Sequence, residues 1–198
     1  MIKARIALPI SFGLVAMLAA SCSITAPSRF YTLDSTATPG VALTAPSSIM
    51  LGAVSVPATV DQPQFVVQVA ANRVEVDEFN RWAAPLNDSI ARAVASDLAV
   101  QLGTPNVATA RLPNFNPDYV VTIEVQRFES TRGKTALIDA VWAVRKSATG
   151  ETLSGRTTAS ENVQSDGFDA LAAAHSRALA TVSNDIATTI RAEANEKQ

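Results

Sequence analysis

Between Leu86 and Leu102 an apolar side chain recurs at every fourth position: Leu86, Ile90, Val94, Leu98 and Leu102, with Arg92, Asp97 and Gln101 set between them. Only a helix gathers such a series onto one face. Asn87 or Asp88 can cap its start and Gly103 its end. A helix with one apolar face must be covered by another element, and the flanking sequence supplies strands. Ile49 to Val56, Gln64 to Ala70 and Arg73 to Val76 are apolar runs of strand length, closed by Pro57, Pro63 and the Ala71-Asn72 turn. From Asp118 to Phe128, Tyr119, Val121, Ile123 and Val125 alternate with Thr122, Glu124 and Gln126, so one face is buried and the other wet. Ser130 to Gly133 turns the chain into Thr135 to Val144, where Ile138, Ala140 and Trp142 share a face. Thr149-Gly150 turns it again into Thr152 to Val163, which carries almost no large apolar residue and belongs at an edge or on solvent. A second helix follows from about Phe168 to Ala192, with the stripe Phe168, Leu171, His175, Leu179, Val182, Ile186 and Ile190. The order strands-helix-strands-helix predicts a single α+β domain over residues 49–194: a largely antiparallel, mixed sheet with two amphipathic helices packed on one face. No sequence repeat relates the two halves.

The N-terminal end reads differently. Lys3 and Arg5, an apolar stretch from Ile6 to Ala20 and the small residues Ala19, Ala20 and Ser21 are the three parts of a secretory signal, assigned here to residues 1–21. The stretch is too short for a membrane-spanning helix and is broken by Pro9, Ser11 and Gly13. Cys22, the only cysteine, follows at once. Leu18-Ala19-Ala20-Ser21-Cys22 resembles the bacterial lipobox, in which the sulfur receives a diacylglycerol, the chain is cut before the cysteine (here between Ser21 and Cys22) and the new amine is acylated. Such motifs usually carry Leu three residues before the cysteine; here that position is Ala19. A single acyl chain holds a protein only marginally, whereas a multiply acylated terminus is a lasting anchor. From Cys22 to about Ser48 the chain is rich in Ser, Thr, Ala and Pro, which predicts a tether. Residues 29–33, Arg-Phe-Tyr-Thr-Leu, interrupt it with the character of an edge strand.

Charge and cysteine usage limit the chemistry. Removing the signal takes away Lys3 and Arg5 and no acid, so 14 basic side chains face 18 acidic ones, a net charge near −4 that argues against a nucleic-acid partner. With Cys22 acylated, neither a disulfide nor a cysteine-ligated metal is available. A hydrophobic fraction of 47% is ample to build the core instead.

No catalytic or metal-binding constellation stands out. His175 is the only histidine, sits in an apolar helix stripe, and reads as a half-buried packing residue. Glu75, Asp77 and Glu78, set among Val74 and Val76, read as the wet face of a strand. Asp166-Gly167 is a turn before a helix, and no glycine-rich phosphate loop occurs. The reading is a non-enzyme without a cofactor other than the covalent lipid on Cys22.

The stretch Phe79-Asn80-Arg81-Trp82-Ala83-Ala84-Pro85-Leu86 places two aromatics and an arginine at a strand-to-helix junction, with Pro85 suited to start the helix. Trp82 can plug the sheet-helix corner or anchor a partner. The order of features is informative: a lipobox, then "FYTL", "LGAVSVP", "VDEFNRWAAPLNDSIARAVASDLAVQL", "DYVVTIEVQRF", "AVWAV" and a C-terminal amphipathic helix. This order resembles the ABC-type transport auxiliary lipoprotein family, the PqiC-like subunits, over nearly all of the mature chain. The resemblance implies a periplasm-facing, lipid-anchored protein that works with an MCE-domain protein and an ABC transporter to move lipids between inner and outer membranes. Ser23 after the cysteine is the pattern associated with the outer membrane. By the same resemblance Cys22 is the lipid acceptor, while Tyr31, Arg81, Trp82, Pro85 and Leu86 match motif positions that bind a partner or are structural. A homo-oligomer is compatible with it. Two other readings stay open: an outer-membrane assembly or structural lipoprotein, and a lipid-binding carrier.

Overall fold

The computed structural model describes residues 26–43 and 47–195. The signal segment, Ser21 and Cys22 lie outside the described residues. The elements are β1 (Arg29–Tyr31), β2 (Ile49–Ser55), β3 (Gln64–Ala70), β4 (Arg73–Trp82), α1 (Leu86–Leu102), β5 (Val107–Ala108), β6 (Tyr119–Thr131), β7 (Thr135–Lys146), β8 (Thr152–Asn162) and α2 (Phe168–Asn195). They form a single α+β domain in the expected order of strands, helix, strands, helix.

The strands divide between two sheets, one of three strands in the order β1-β4-β3 and one of five in the order β5-β2-β6-β7-β8. The long meander β6-β7-β8 is antiparallel, whereas β2 pairs parallel to β6 and β1 parallel to β4. Alternation places Val121, Ile123 and Val125 of β6 and Ile138, Ala140, Trp142 and Val144 of β7 under the helices, while Thr122, Glu124 and Gln126 face solvent. Both helix stripes close over that inner face, and every residue of both is buried. Burial of each such Leu, Ile or Val is worth about 1.5–3 kcal/mol.

The strand β8 is an edge, as its composition requires. Its small inward residues have a positive reason too. Trp142 pairs with Gly155 across the strands and lies against it so closely that a methyl group there would collide with the indole. The indole Nε1 then donates to Thr157 Oγ1 at 3.0 Å.

Three local expectations change. Residues 79–82, read as a junction, continue β4 to Trp82. The helix N-cap is Pro85 rather than Asn87 or Asp88: its φ of −48° and ψ of 136° are those of a cap, and its carbonyl accepts from Ser89 N at 3.0 Å. Asn87 and Asp88 therefore lie within the first turn, where the carboxylate of Asp88 still favours the helix dipole. Gly103 ends the helix in the left-handed conformation, φ 64°, its N–H donating to Ala99 O. Finally, residues 32–43, read as part of a free tether, lie on the two helices as a strap.

Burial and hydrogen bonds fix this strap. Leu33 is buried, Asp34 N donates to Ser176 Oγ of α2 at 3.2 Å, and Leu43 N donates to Leu102 O at the end of α1 at 3.1 Å. The centre is held by Asp97, which accepts from Ser35 Oγ at 2.6 Å and from Ala37 N at 3.2 Å.

Candidate functional site

The residues singled out in "FYTL" and "RWAAPL" come together. Parallel pairing of β1 with β4 sets Tyr31 opposite Trp82 and Phe30 opposite Arg81. Two backbone hydrogen bonds close the junction, Trp82 N to Pro63 O at 2.7 Å and Ala83 N to Tyr31 O at 2.9 Å. Trp82, 4% exposed, stacks on Phe65 at 4.0 Å and meets Phe128 edge-on at 6.0 Å. Tyr31 meets the edge of Phe65 at 5.4 Å, and its hydroxyl donates to Asn80 Oδ1 at 2.6 Å. Phe168 at the start of α2 adds a further edge-on contact with Phe65 at 5.1 Å. This aromatic cluster joins the small sheet, the large sheet and α2. Contacts of this geometry add about 0.5–1.5 kcal/mol each beyond simple burial.

Leu86 is buried in the same corner, and Pro85 sits beside it on the surface. Together with Ala83, Ala84 and the loop Asp61-Gln62-Pro63, Trp82, Pro85 and Leu86 line a hollow of about 420 Å³, largely apolar and open to solvent. A volume of that order suits a side chain or a small ligand. Arg81 turns away from the cluster. Its Nε donates to Glu78 O at 2.9 Å, and its guanidinium lies 3.8 Å from the Glu78 carboxylate, an exposed and weak ion pair.

His175 is completely buried rather than half-buried, because the opposing Phe128 and Trp82 enclose it. Its ring stacks on Phe128 at 3.9 Å, nearly parallel, and its Nε2 lies 2.8 Å from Ser130 Oγ in a hydrogen bond. Burial pushes its pKa down to about 3, so the imidazole is neutral at physiological pH. Nδ1 has no partner among the described residues. With none of its surface exposed, its geometry is that of a packing residue with one polar contact.

Asp97 is the less expected acid. The helical pattern sets it between apolar positions, yet it is fully buried and takes a third hydrogen bond from Ser183 Oγ at 3.0 Å. Burial raises its carboxyl above the ordinary value, against the pull of the hydrogen bonds from Ser35 and Ser183. Its signal in the sequence was weak, since the partners on either side, Ser35 and Ser183, lie far away along the chain. Asp77, read as wet strand surface, instead turns its carboxylate onto its own chain: Oδ1 accepts from Phe79 N at 3.0 Å, Asn80 N at 2.8 Å and Asn80 Nδ2 at 2.9 Å. Among the described residues no group of three or more His, Cys, Asp or Glu side chains is placed to hold a metal ion. Nor, among them, is any helix long and apolar enough to cross a membrane.

Solved structures share the fold. A Xanthomonas campestris protein of the DUF330 family superposes with a TM-score of 0.69 at 22% identity, over 86% of this chain and 100% of that one. A second crystal structure, of an uncharacterized protein, gives 0.69 at 20% identity over 83% of this chain and 99% of that one. A looser likeness, TM-score 0.42 at 16% identity over 73% of this chain and 94% of that one, is to the PelC dodecamer of Paraburkholderia phytofirmans. No curated protein matches the sequence. The sequence model of the ABC-type transport auxiliary lipoprotein component matches residues 31–187, from the buried Tyr31 of β1 to Ala187 in the last turns of α2. It takes in "RWAAPL", "FYTL" from Tyr31 onward, the strap and the whole helix-covered sheet, and the chain belongs to that family.

Proposed function

We propose that this protein is a lipid-anchored, periplasm-facing auxiliary subunit of an ABC-type lipid transport system, partnered with an MCE-domain protein at the outer membrane and acting by docking. The observation that carries the reading is the family match over residues 31–187, preceded a few residues upstream by Cys22 in its lipobox. The acylated cysteine provides the membrane attachment, and Ser23 beside it favours the outer membrane. The fold offers surfaces for a protein partner: the apolar hollow at Trp82, Pro85 and Leu86, and the eleven-residue edge strand β8 with its row of unpaired backbone groups.

A tagged copy recovered from envelope extracts in mild detergent tests this. The expected result is co-purification of an MCE-domain protein with permease and ATPase subunits. Consistent recovery of a β-barrel or peptidoglycan component in their place would overturn the reading in favour of an assembly lipoprotein.

A further inference from the structure

Eight large apolar side chains are exposed among the described residues, and five of them, Phe30, Val69, Val74, Val76 and Phe79, lie on the small sheet. That sheet has strands of only three, seven and ten residues. The first part of β4 is exposed, and Val74, which borders an open hollow shared with Gln126 to Ser130 of β6, lies with Val76 on one face of the β3–β4 hairpin. Their cross-strand neighbours on that face are Gln68 and Val66. The carboxylate of Asp77 is turned onto its own backbone and Asn80, away from the apolar pair Val74 and Val76 in sequence, while Glu75 and Glu78 stay exposed.

The direction of the chain connects this surface with the anchor. Because β1 runs parallel to β4, with Arg29 opposite Asn80, the residues before Arg29 lead back toward the hairpin tip. Cys22 stands seven residues before Arg29, and Arg73, at the tip, seven before Asn80. Fully extended, seven residues span about 24 Å, so the cysteine reaches about as far as the tip and little beyond. No slack comes from the other side, because the strap is pinned at Leu33, Asp34, Ser35 and Ala37.

We infer that the β3–β4 hairpin, with Phe30 beside it, lies against the lipid surface in which Cys22 is anchored, holding the domain with its small sheet toward the bilayer. This rests on the lipid anchor of the proposed function. The apolar residues occur where the short tether forces contact, which is why a lipid surface is favoured here over a protein partner.

The test uses the acylated full chain in vesicles of phosphatidylethanolamine and phosphatidylglycerol. With Cys22 acylated, Val74→Cys supplies the only free thiol, for an environment-sensitive fluorophore; Ser154→Cys on β8 serves as the comparison position. The expected result is a blue shift at position 74 on vesicle binding and loss of its emission with brominated lipids, with neither change at position 154. Mass spectrometry of the N-terminal peptide accompanies the measurement. An acylated protein whose position 74 stays in water, or becomes covered only when envelope proteins are added, overturns the inference and leaves the anchor standing. An unmodified Cys22 removes both.

Discussion

At the scale of single residues, the aromatic junction separates structural from exposed members of one short motif. Trp82 is enclosed by Phe65, Phe128 and His175, and its removal opens a cavity that the two sheets cannot easily close. Trp82→Ala is expected to lower stability by about 3–5 kcal/mol in chemical denaturation. Arg81→Ala, one residue away, breaks only an exposed ion pair and is expected to change stability by less than about 1 kcal/mol. Equal losses in the two variants would contradict the packing described. His175 makes a second prediction. The unfolded imidazole takes a proton near pH 6.5, the buried one only near pH 3. Its contribution is therefore complete above pH 6.5 and is lost as the pH falls toward 3. Between pH 7 and 5 this amounts to about 2 kcal/mol, a loss that His175→Phe should lack. Denaturation midpoints at several pH values measure the difference, and parallel profiles would exclude it. Asp97 works with the opposite sign, because its folded carboxyl is raised: its penalty is present when charged and relieved as the pH falls.

At the scale of elements, periodicity carried most of the information. Both helices, their stripes, the β6-β7-β8 meander and the edge position of β8 follow from alternation and four-residue spacing, because those patterns report which face is buried. The partition into two sheets does not follow, since the parallel pairings of β1 with β4 and β2 with β6 join segments distant in sequence. The strap was hidden for a related reason. Its composition is that of a linker, and only the folded helices bring Asp97 and Ser176 beneath it. Asp97→Ala removes the acceptor shared by Ser35, Ala37 and Ser183. Hydrogen exchange should then show lost protection over residues 33–43 with the β6–β7 strands unchanged. Unaltered protection in the strap would mean that Leu33 and the contacts to Ser176 and Leu102 hold it without Asp97. Of the candidate site, Tyr31, Trp82 and Leu86 were legible as a cluster of motif positions. Their mutual packing, and the outward turn of Arg81, needed the register of β1 on β4.

At the scale of the whole molecule, the strap changes what the N-terminal region does. A chain free from Cys22 to Ser48 would let the domain wander far from the bilayer. With residues 29–43 fixed on the body, only residues 23–28 lie between Cys22, the proposed lipid acceptor, and the first strand. A lipid on Cys22, as proposed, would hold the domain of this transport auxiliary lipoprotein close to its membrane in a restricted orientation, with β8 at the edge of the other sheet. Everything in that account depends on the anchor, so the intact mass of the mature N-terminus tests it most directly. The expected result is a chain beginning at Cys22 that carries a thioether-linked diacylglycerol and an acylated amine, with Cys22→Ser retaining its signal segment. A mature chain that begins elsewhere, or that begins at Cys22 with a free thiol, would contradict it.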